Sequence, residues 1–208
     1  MKGVEKAIDK EFPQSTKRVC AKDLYSNFKM KWGGPAFHDL FWRAANATSA
    51  HAFNKAIDEI NRLSRPAADY LLSVNQQWSK HEFDPAITFD HNTSNFVESF
   101  NAVINELREK PVLTFMEGIR NHFMEKFAER MAVADSLQMH EPTPYAKEIL
   151  DYNIHGSNQC MVIQAGGGEF EVLEGTKPHP LDILKGTCLC GGWQVTGIPC
   201  KHAYRAFT

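Results

Sequence analysis

The sequence predicts an α+β fold that is mainly helical and ends in a small ββα-like unit. Apolar side chains recur at helical spacing through most of the first 135 residues. Beyond Pro142 and Pro144 the spacing changes to the alternation typical of strands, and glycines become frequent. With 43% hydrophobic residues in a chain of 208, the sequence can build a buried core in one or two domains.

The helical part is divided by proline and glycine. Gly34 and Pro66 interrupt the apolar spacing, and Thr48-Ser49 supplies a cap for the helix that follows. The aromatic side chains of this part are interpreted as core. The predicted elements are a helix over 3–12, a strand over 16–20, several helices over 21–80, a helix over 95–110 and a helix over 114–134.

The C-terminal part is predicted to contain strands. Val172 and Phe170 fall on one face of a strand, and Glu169 and Glu171 fall on the other. The predicted elements are a helix over 145–152 and strands over 160–163, 169–173 and 183–190.

Charge and composition limit the classes of function. The net charge of −2 argues against a protein that holds nucleic acid by bulk positive charge. No apolar run approaches the roughly 18 residues of a membrane span, and the first residues contain no signal-peptide core. We therefore expect a reducing compartment and no membrane partner. In that setting five cysteines indicate metal binding or free thiols rather than disulfides.

Three of the five cysteines and one histidine form two tight pairs near the C-terminus, Cys188-x-Cys190 and Cys200-x-His202. Side chains two residues apart on a strand point to the same face of the sheet, so Cys188 and Cys190 can bind one ion together. Four thiolate or imidazole ligands are the set that structural Zn²⁺ prefers, and they leave no position for a reactive water. The alternative is three buried cysteines and a surface histidine. The pattern favours one structural Zn²⁺.

These pairs, with the sequence WQVTGIPCKHA between and around them, closely resemble the SWIM zinc finger of plant Mutator-like transposases and of the transcription regulators descended from them. The resemblance implies Cys188, Cys190, Cys200 and His202 as the zinc ligands. It also implies a nuclear location and a finger that supports contacts with DNA or protein.

The resemblance extends over nearly the whole chain. NFVESFNAVINELREKPVLTFMEGIR looks like the segment that follows the helical insertion of the family's RNase H-like core, and KGVEKAIDKEFPQSTKRVCAKDLYSNF resembles the segment after its second catalytic aspartate. Where the family has a Cys-x-x-His pair, this chain has Cys20 and Asp23. The implied organisation is a helical remnant of the transposase core over 1–135, a connector over 136–165 and the SWIM finger over 166–208.

The same resemblance argues against enzymatic activity. Glu98 matches the family's third acidic metal ligand, but the other two are expected upstream of this chain. Two-metal catalysis needs several carboxylates converging on one site. Asn95 and Glu98 also fit a capping box at a helix start, which is the favoured role of Glu98. The spacing of Asp84 and Asp90 does not support them as substitutes.

Three functions remain open, in decreasing order. The first is a zinc-binding, truncated transposase-derived protein that supports DNA or protein binding without transposition. The second is a protein-interaction module that pairs with full-length transposases or derived regulators, and the third is a metal-dependent DNA endonuclease. Lys201 and Arg205 are the candidate phosphate contacts, although acidic residues offset the basic ones in this region.

Overall fold

A computed structural model describes the backbone of residues 2–208 and the side chains of residues 6–8 and 10–208. The chain forms two compact units. The first comprises Met1–Thr93 and Cys190–Gly197, and the second comprises Ser94–Leu189 and Ile198–Thr208. The three segments predicted from the sequence, 1–135, 136–165 and 166–208, stay a prediction.

Ten α-helices and one sheet of four strands occur in the described residues. The helices are α1 (Lys2–Glu11), α2 (Ala21–Lys29), α3 (Pro35–Ala45), α4 (Ala50–Leu63), α5 (Arg65–Leu72), α6 (Asn95–Ile104), α7 (Val112–Ser136), α8 (Pro144–Ser157), α9 (Gly192–Thr196) and α10 (Lys201–Phe207). The strands are β1 (Cys160–Gly166), β2 (Glu169–Glu174), β3 (Lys177–Asp182) and β4 (Thr187–Cys188). None of the described helices is both long and apolar enough to cross a membrane.

The core of the first unit is formed by the apolar faces of α2 to α5. Ser49 caps α4, since its hydroxyl accepts a hydrogen bond from the Ala52 N–H at 3.3 Å, as the sequence predicted. The aromatic side chains pack as core, and Phe41 stacks on Trp78 with ring centroids 5.4 Å apart. The buried members of this core are Ala21, Leu24, Phe28, Leu40, Phe41, Ala44, Ala45, Ala47, Phe53, Ala56, Ile57, Ile60, Ala67, Ala68, Leu71 and Trp78.

The strand predicted over 16–20 is wrong. This segment makes one isolated parallel bridge, between Arg18 and Gln77. The Val19 N–H donates to the Gln77 carbonyl at 2.9 Å, and the Gln77 N–H donates to the Lys17 carbonyl at 3.2 Å. A strand needs a partner of similar length, and here the pairing extends over one bridge only.

In the second unit, α6 begins at Asn95 with Ser94 in the N-cap position. The predicted capping box is therefore wrong, because Asn95 is already inside the helix and Glu98 lies one position too far along. The helix gives way to a 3₁₀ turn at Asn105–Leu107. The following helix, α7, is longer than predicted and contains no buried residue.

The sheet is antiparallel with the order β1-β2-β3-β4. Val172 of β2 is fully buried and Phe170 partly buried, while Glu169 and Glu171 are exposed, as the alternation predicted. With four strands, the sheet exceeds the two-stranded ββα-like unit expected from the sequence.

The strand that no sequence prediction covers is β3, which contains Pro178 and Pro180. Proline cannot donate a ladder hydrogen bond and argues against a central strand. In this sheet β4 pairs only with Leu181 and Asp182 of β3. Among the described residues, no strand pairs with the edge of β3 that faces β4 at the two prolines, so their missing N–H groups leave no ladder hydrogen bond unmade there. The strand predicted over 183–190 is correspondingly reduced to the two residues of β4 after a turn.

Candidate metal centre

The first cysteine pair lies at the end of the sheet. Cys188 is the last residue of β4, and Cys190 lies in the turn that follows. The expectation that both cysteines lie on a strand is therefore wrong for Cys190. Gly191 has φ of 75° and turns the chain into α9, a conformation that glycine adopts without strain.

Cys190 and Gly191 are held against the start of α4, which belongs to the same compact unit. The Thr48 hydroxyl donates a hydrogen bond to the Cys190 carbonyl at 2.7 Å. A Cβ added at Gly191 would come within 1.9 Å of the Thr48 carbonyl oxygen. This close approach requires glycine at position 191.

The second ligand pair lies at the start of α10. Gly197 has φ of 72° and ends α9, a conformation that glycine adopts without strain. Cys200 occupies the N-cap position of α10, and His202 lies in its first turn. The Asn153 side chain donates a hydrogen bond to the Pro199 carbonyl at 2.9 Å, which fixes the entry to this helix.

The four predicted ligands converge. Cys188, Cys190, Cys200 and His202 each offer one ligand atom, and these atoms all lie within 4.8 Å of one another. The His202 Nδ1 atom is 3.6 Å from the Cys188 sulfur and 3.9 Å from the Cys200 sulfur. Sulfur and nitrogen ligands of a tetrahedral zinc stand roughly 3.5–3.6 Å apart.

Burial and hydrogen bonding also suit a metal. The exposed fractions of Cys188, Cys200 and His202 are 2%, 7% and 2%. The Gly192 N–H donates to the Cys190 sulfur at 3.4 Å, an interaction that stabilises a thiolate. Three thiolates and one imidazole match a structural Zn²⁺ site, so the residues present fit the ion.

Three residues that are not among the four predicted zinc ligands surround His202. The Glu174 Oε2 atom lies 3.2 Å from His202 Nε2, and the Lys201 ammonium donates a hydrogen bond to Glu174 Oε1. The His179 ring stacks on the His202 ring with centroids 3.9 Å apart. Glu174, His179 and His202 form a second group of potential ligands, which shares His202 with the first. The sequence carries no sign of this arrangement.

The charges near His202 perturb its neighbours. The hydrogen bond from Lys201 lowers the pKa of Glu174 against the opposing effect of burial. Burial alone would lower the pKa of Lys201, but the hydrogen bond and charge of Glu174 outweigh it, so that this pKa is raised. Burial lowers the pKa of His179.

The candidate DNA contacts both have partners within the protein. Lys201 is paired with Glu174, and the Arg205 Nε–H donates to the Cys160 carbonyl at 3.1 Å. Their role in DNA binding stays a prediction.

Glu98 lies on α6 and is exposed. It belongs to neither of the ligand groups found among the described residues. Asp90 is paired with Lys80 at 3.3 Å, and Asp84 accepts a hydrogen bond from the Ala86 N–H at 2.9 Å.

The fold places a Cys₃His group of suitable geometry for one zinc ion near the C-terminus. The family model of the SWIM zinc finger matches residues 168–208, which contain all four ligands. A SWIM zinc finger is therefore found in this segment. Comparison with curated proteins and with solved structures gave no match.

Proposed function

We propose that the chain belongs to a transposase-derived protein that binds one structural Zn²⁺ and uses the zinc finger to support DNA or protein binding, without transposition activity. The observation that supports this most strongly is the convergence of Cys188, Cys190, Cys200 and His202 inside the segment that matches the SWIM zinc finger. Four protein ligands fill a tetrahedral shell, so the ion would act structurally.

Zinc would link two short parts of the chain that each carry two of the candidate ligands. The segment from β4 to α10 is short: the first two candidate ligands lie at the end of a strand and in the turn that follows it, and the last two lie at the start of a helix. Binding one ion fixes the turn relative to the helix, and the free energy of zinc binding contributes directly to the free energy of folding.

Zinc binding is tested by the zinc content of protein purified under reducing conditions. We expect about one zinc per chain in the wild type and loss of that zinc in Cys200→Ser/His202→Ala. Cys20→Ser, which removes a thiol outside the ligand group, is the matched control and should keep the metal. A wild type without zinc would contradict the proposal.

Binding to DNA is tested by fluorescence anisotropy with a random-sequence duplex over a series of salt concentrations. Four basic residues of the finger, Lys177, Lys185, Lys201 and Arg205, are offset by four acidic ones, Glu169, Glu171, Glu174 and Asp182. We therefore expect weak binding with a shallow salt dependence, reduced further in Lys201→Gln/Arg205→Gln. Equal DNA binding by the wild type and this variant would show that Lys201 and Arg205 do not contact DNA.

Protein binding is a second candidate function because α7 exposes a large apolar face. The exposed fractions of Met116, Phe127 and Met131 are 58%, 59% and 63%. An apolar face of this kind typically marks an interaction site. The proposed partner is a full-length transposase of the same family or a regulator derived from one.

Sedimentation of the chain mixed with such a partner tests this second function. We expect a complex with the wild type, and its loss when Phe127→Glu places a charge within the apolar face. Glu129→Gln, a change at an exposed charged position of the same helix, should retain the complex. A complex that survives Phe127→Glu would contradict a role for this face.

A further inference from the structure

We infer that Glu174 is a positioning residue for the zinc site: its carboxylate accepts a hydrogen bond from His202 Nε2–H and so directs the Nδ1 lone pair at the metal. This inference rests on the proposed zinc site. Glu174 lies 28 residues before His202 in the sequence, and it reaches the ligand because β2 ends beside α10.

The two ring nitrogens of His202 face different groups. Nδ1 points toward the sulfurs of Cys188 and Cys200, at 3.6 and 3.9 Å. Nε2 points toward Glu174 Oε2, at 3.2 Å. A carboxylate cannot donate, so Nε2 must carry the hydrogen in this contact, and the lone pair of a neutral imidazole then lies on Nδ1.

The Glu174 carboxylate is itself held in place. Its Oε1 atom accepts a hydrogen bond from Lys201, the residue between the last two ligands. In the β1–β2 and β2–β3 pairings, Glu174 lies opposite Cys160 and Lys177, so the backbone at this position is fixed on both sides. A metal-bound imidazole commonly donates its other N–H to a carboxylate in this way, and loss of such an acceptor typically weakens metal binding about 10–100-fold.

The His179 ring restricts the remaining freedom of His202. The two rings stack 3.9 Å apart with an angle of 19° between their planes. His179 Nε2 is 3.9 Å from Glu174 Oε2, too far for a hydrogen bond, and neither ring nitrogen of His179 has a hydrogen-bond partner among the described residues. The acceptor for His202 is therefore Glu174, and His179 limits rotation of the ring.

The same geometry disfavours a second ion held by Glu174, His179 and His202. Such an ion would require a lone pair on His202 Nε2, whereas the Cys₃His site requires one on Nδ1. A neutral imidazole has a single lone pair, so it can serve only one of the two sites. The sulfurs of Cys188 and Cys200, at 3.6 and 3.9 Å from Nδ1, assign that lone pair to the Cys₃His site.

The inference is tested with the full chain, using zinc alone as ligand. Competition with a chromophoric chelator measures the zinc dissociation constant, and ¹⁵N-detected NMR of the zinc-loaded protein reports the tautomer of His202. We expect Nδ1 to be metal-bound and Nε2 to carry hydrogen in the wild type. Glu174→Ala should weaken zinc binding about 10–100-fold with the stoichiometry unchanged.

Two further variants separate positioning from a general structural effect. Glu174→Gln keeps a carbonyl oxygen that can accept from Nε2–H, and it should restore most of the affinity. Glu171→Ala, on the exposed side of the same strand, is the matched control and should bind zinc as the wild type does.

Each unfavourable outcome has a separate meaning. Zinc bound through Nε2, a second zinc per wild-type chain, or wild-type affinity in Glu174→Ala would overturn the inference while leaving the zinc site intact. A wild type that binds no zinc would instead overturn the proposed function. If Glu174→Ala does not fold, the tautomer observed in the wild type decides the question.

Discussion

The helical core and the candidate metal centre are stabilised in different ways. The core of α2 to α5 has fully buried aromatic and aliphatic side chains, among them Phe28, Phe41 and Leu71. Around the metal centre the fully or nearly fully buried groups include the ligands Cys188 and His202 themselves. Apolar burial stabilises the first region. In the second region, the candidate metal ligands occupy buried positions of the kind that apolar core side chains fill in a small domain.

This difference predicts that the two regions respond to different perturbations. A core of large apolar side chains is insensitive to metal but sensitive to the loss of a methylene group. A region organised around four ligands is sensitive to metal and to the exact placement of those ligands. Each prediction below addresses one side of this comparison.

Removal of zinc is expected to have the largest effect. Chelation should abolish the hydrogen-exchange protection of amides in β3, β4 and α10, while amides of α3 and α4 keep theirs. Hydrogen exchange with mass spectrometry on the zinc-loaded and chelated protein measures both at once. Addition of zinc back is the control, and protection of β4 that persists without metal would contradict the comparison.

Truncation of a core aromatic should give the opposite pattern. Phe41 is fully buried and contacts several rings, so Phe41→Ala should lower the free energy of unfolding of the helical core by about 3–5 kcal/mol. The zinc content should remain at the wild-type value. Phe12→Ala is the control because Phe12 is 67% exposed, and denaturant unfolding followed by circular dichroism compares the two. Loss of zinc in Phe41→Ala would mean that the two regions are not independent.

Gly191 links the two regions of this comparison. It follows the candidate ligand Cys190 and lies against Thr48, just before α4. Gly191→Ala adds backbone strain at φ of 75° and a clash with the Thr48 carbonyl, and it should destabilise the chain by about 1–3 kcal/mol. Gly175 has φ of 60° but open space around its Cβ position, so Gly175→Ala isolates the strain. Equal destabilisation in both variants, measured by denaturant unfolding, would mean that the close approach at Thr48 is not maintained.

The smallest expected effect is a pH dependence within the helical unit. Burial lowers the pKa of His81, whose ring stacks on Phe53 with centroids 4.3 Å apart. Below pH about 6.5 the unfolded chain therefore binds a proton that the folded chain resists, so stability falls as the pH decreases. His81→Gln should reduce this slope in denaturant unfolding between pH 7 and 5.

Zinc content measured at each pH controls for loss of metal, and stability above pH 7 should not depend on ionisation of His81. If stability depends on pH equally in the wild type and in His81→Gln, His81 is not the source of the pH dependence.

The sequence was sufficient for features that depend on local spacing. Cys188, Cys190, Cys200 and His202 lie within fifteen residues, so their pairing follows from two short motifs and the glycines between them. The helices of the first unit follow from apolar periodicity in the same way.

Features that depend on neighbours distant in sequence could not be predicted. β3 escaped prediction for a different reason: it pairs with β2 across the short turn at Gly175-Thr176, but Pro178 and Pro180 argue locally against a strand. Glu174 and His202 meet only after the sheet has formed. The start of α6 differs by a single residue, which is enough to remove the capping box of Glu98.

The central claim, one structural zinc with a closed Cys₃His shell, is tested most directly by X-ray absorption at the zinc edge of the purified protein. The account predicts three sulfur neighbours at about 2.3 Å and one nitrogen neighbour at about 2.0–2.1 Å. An oxygen from water in the shell, or fewer than three sulfurs, would contradict it.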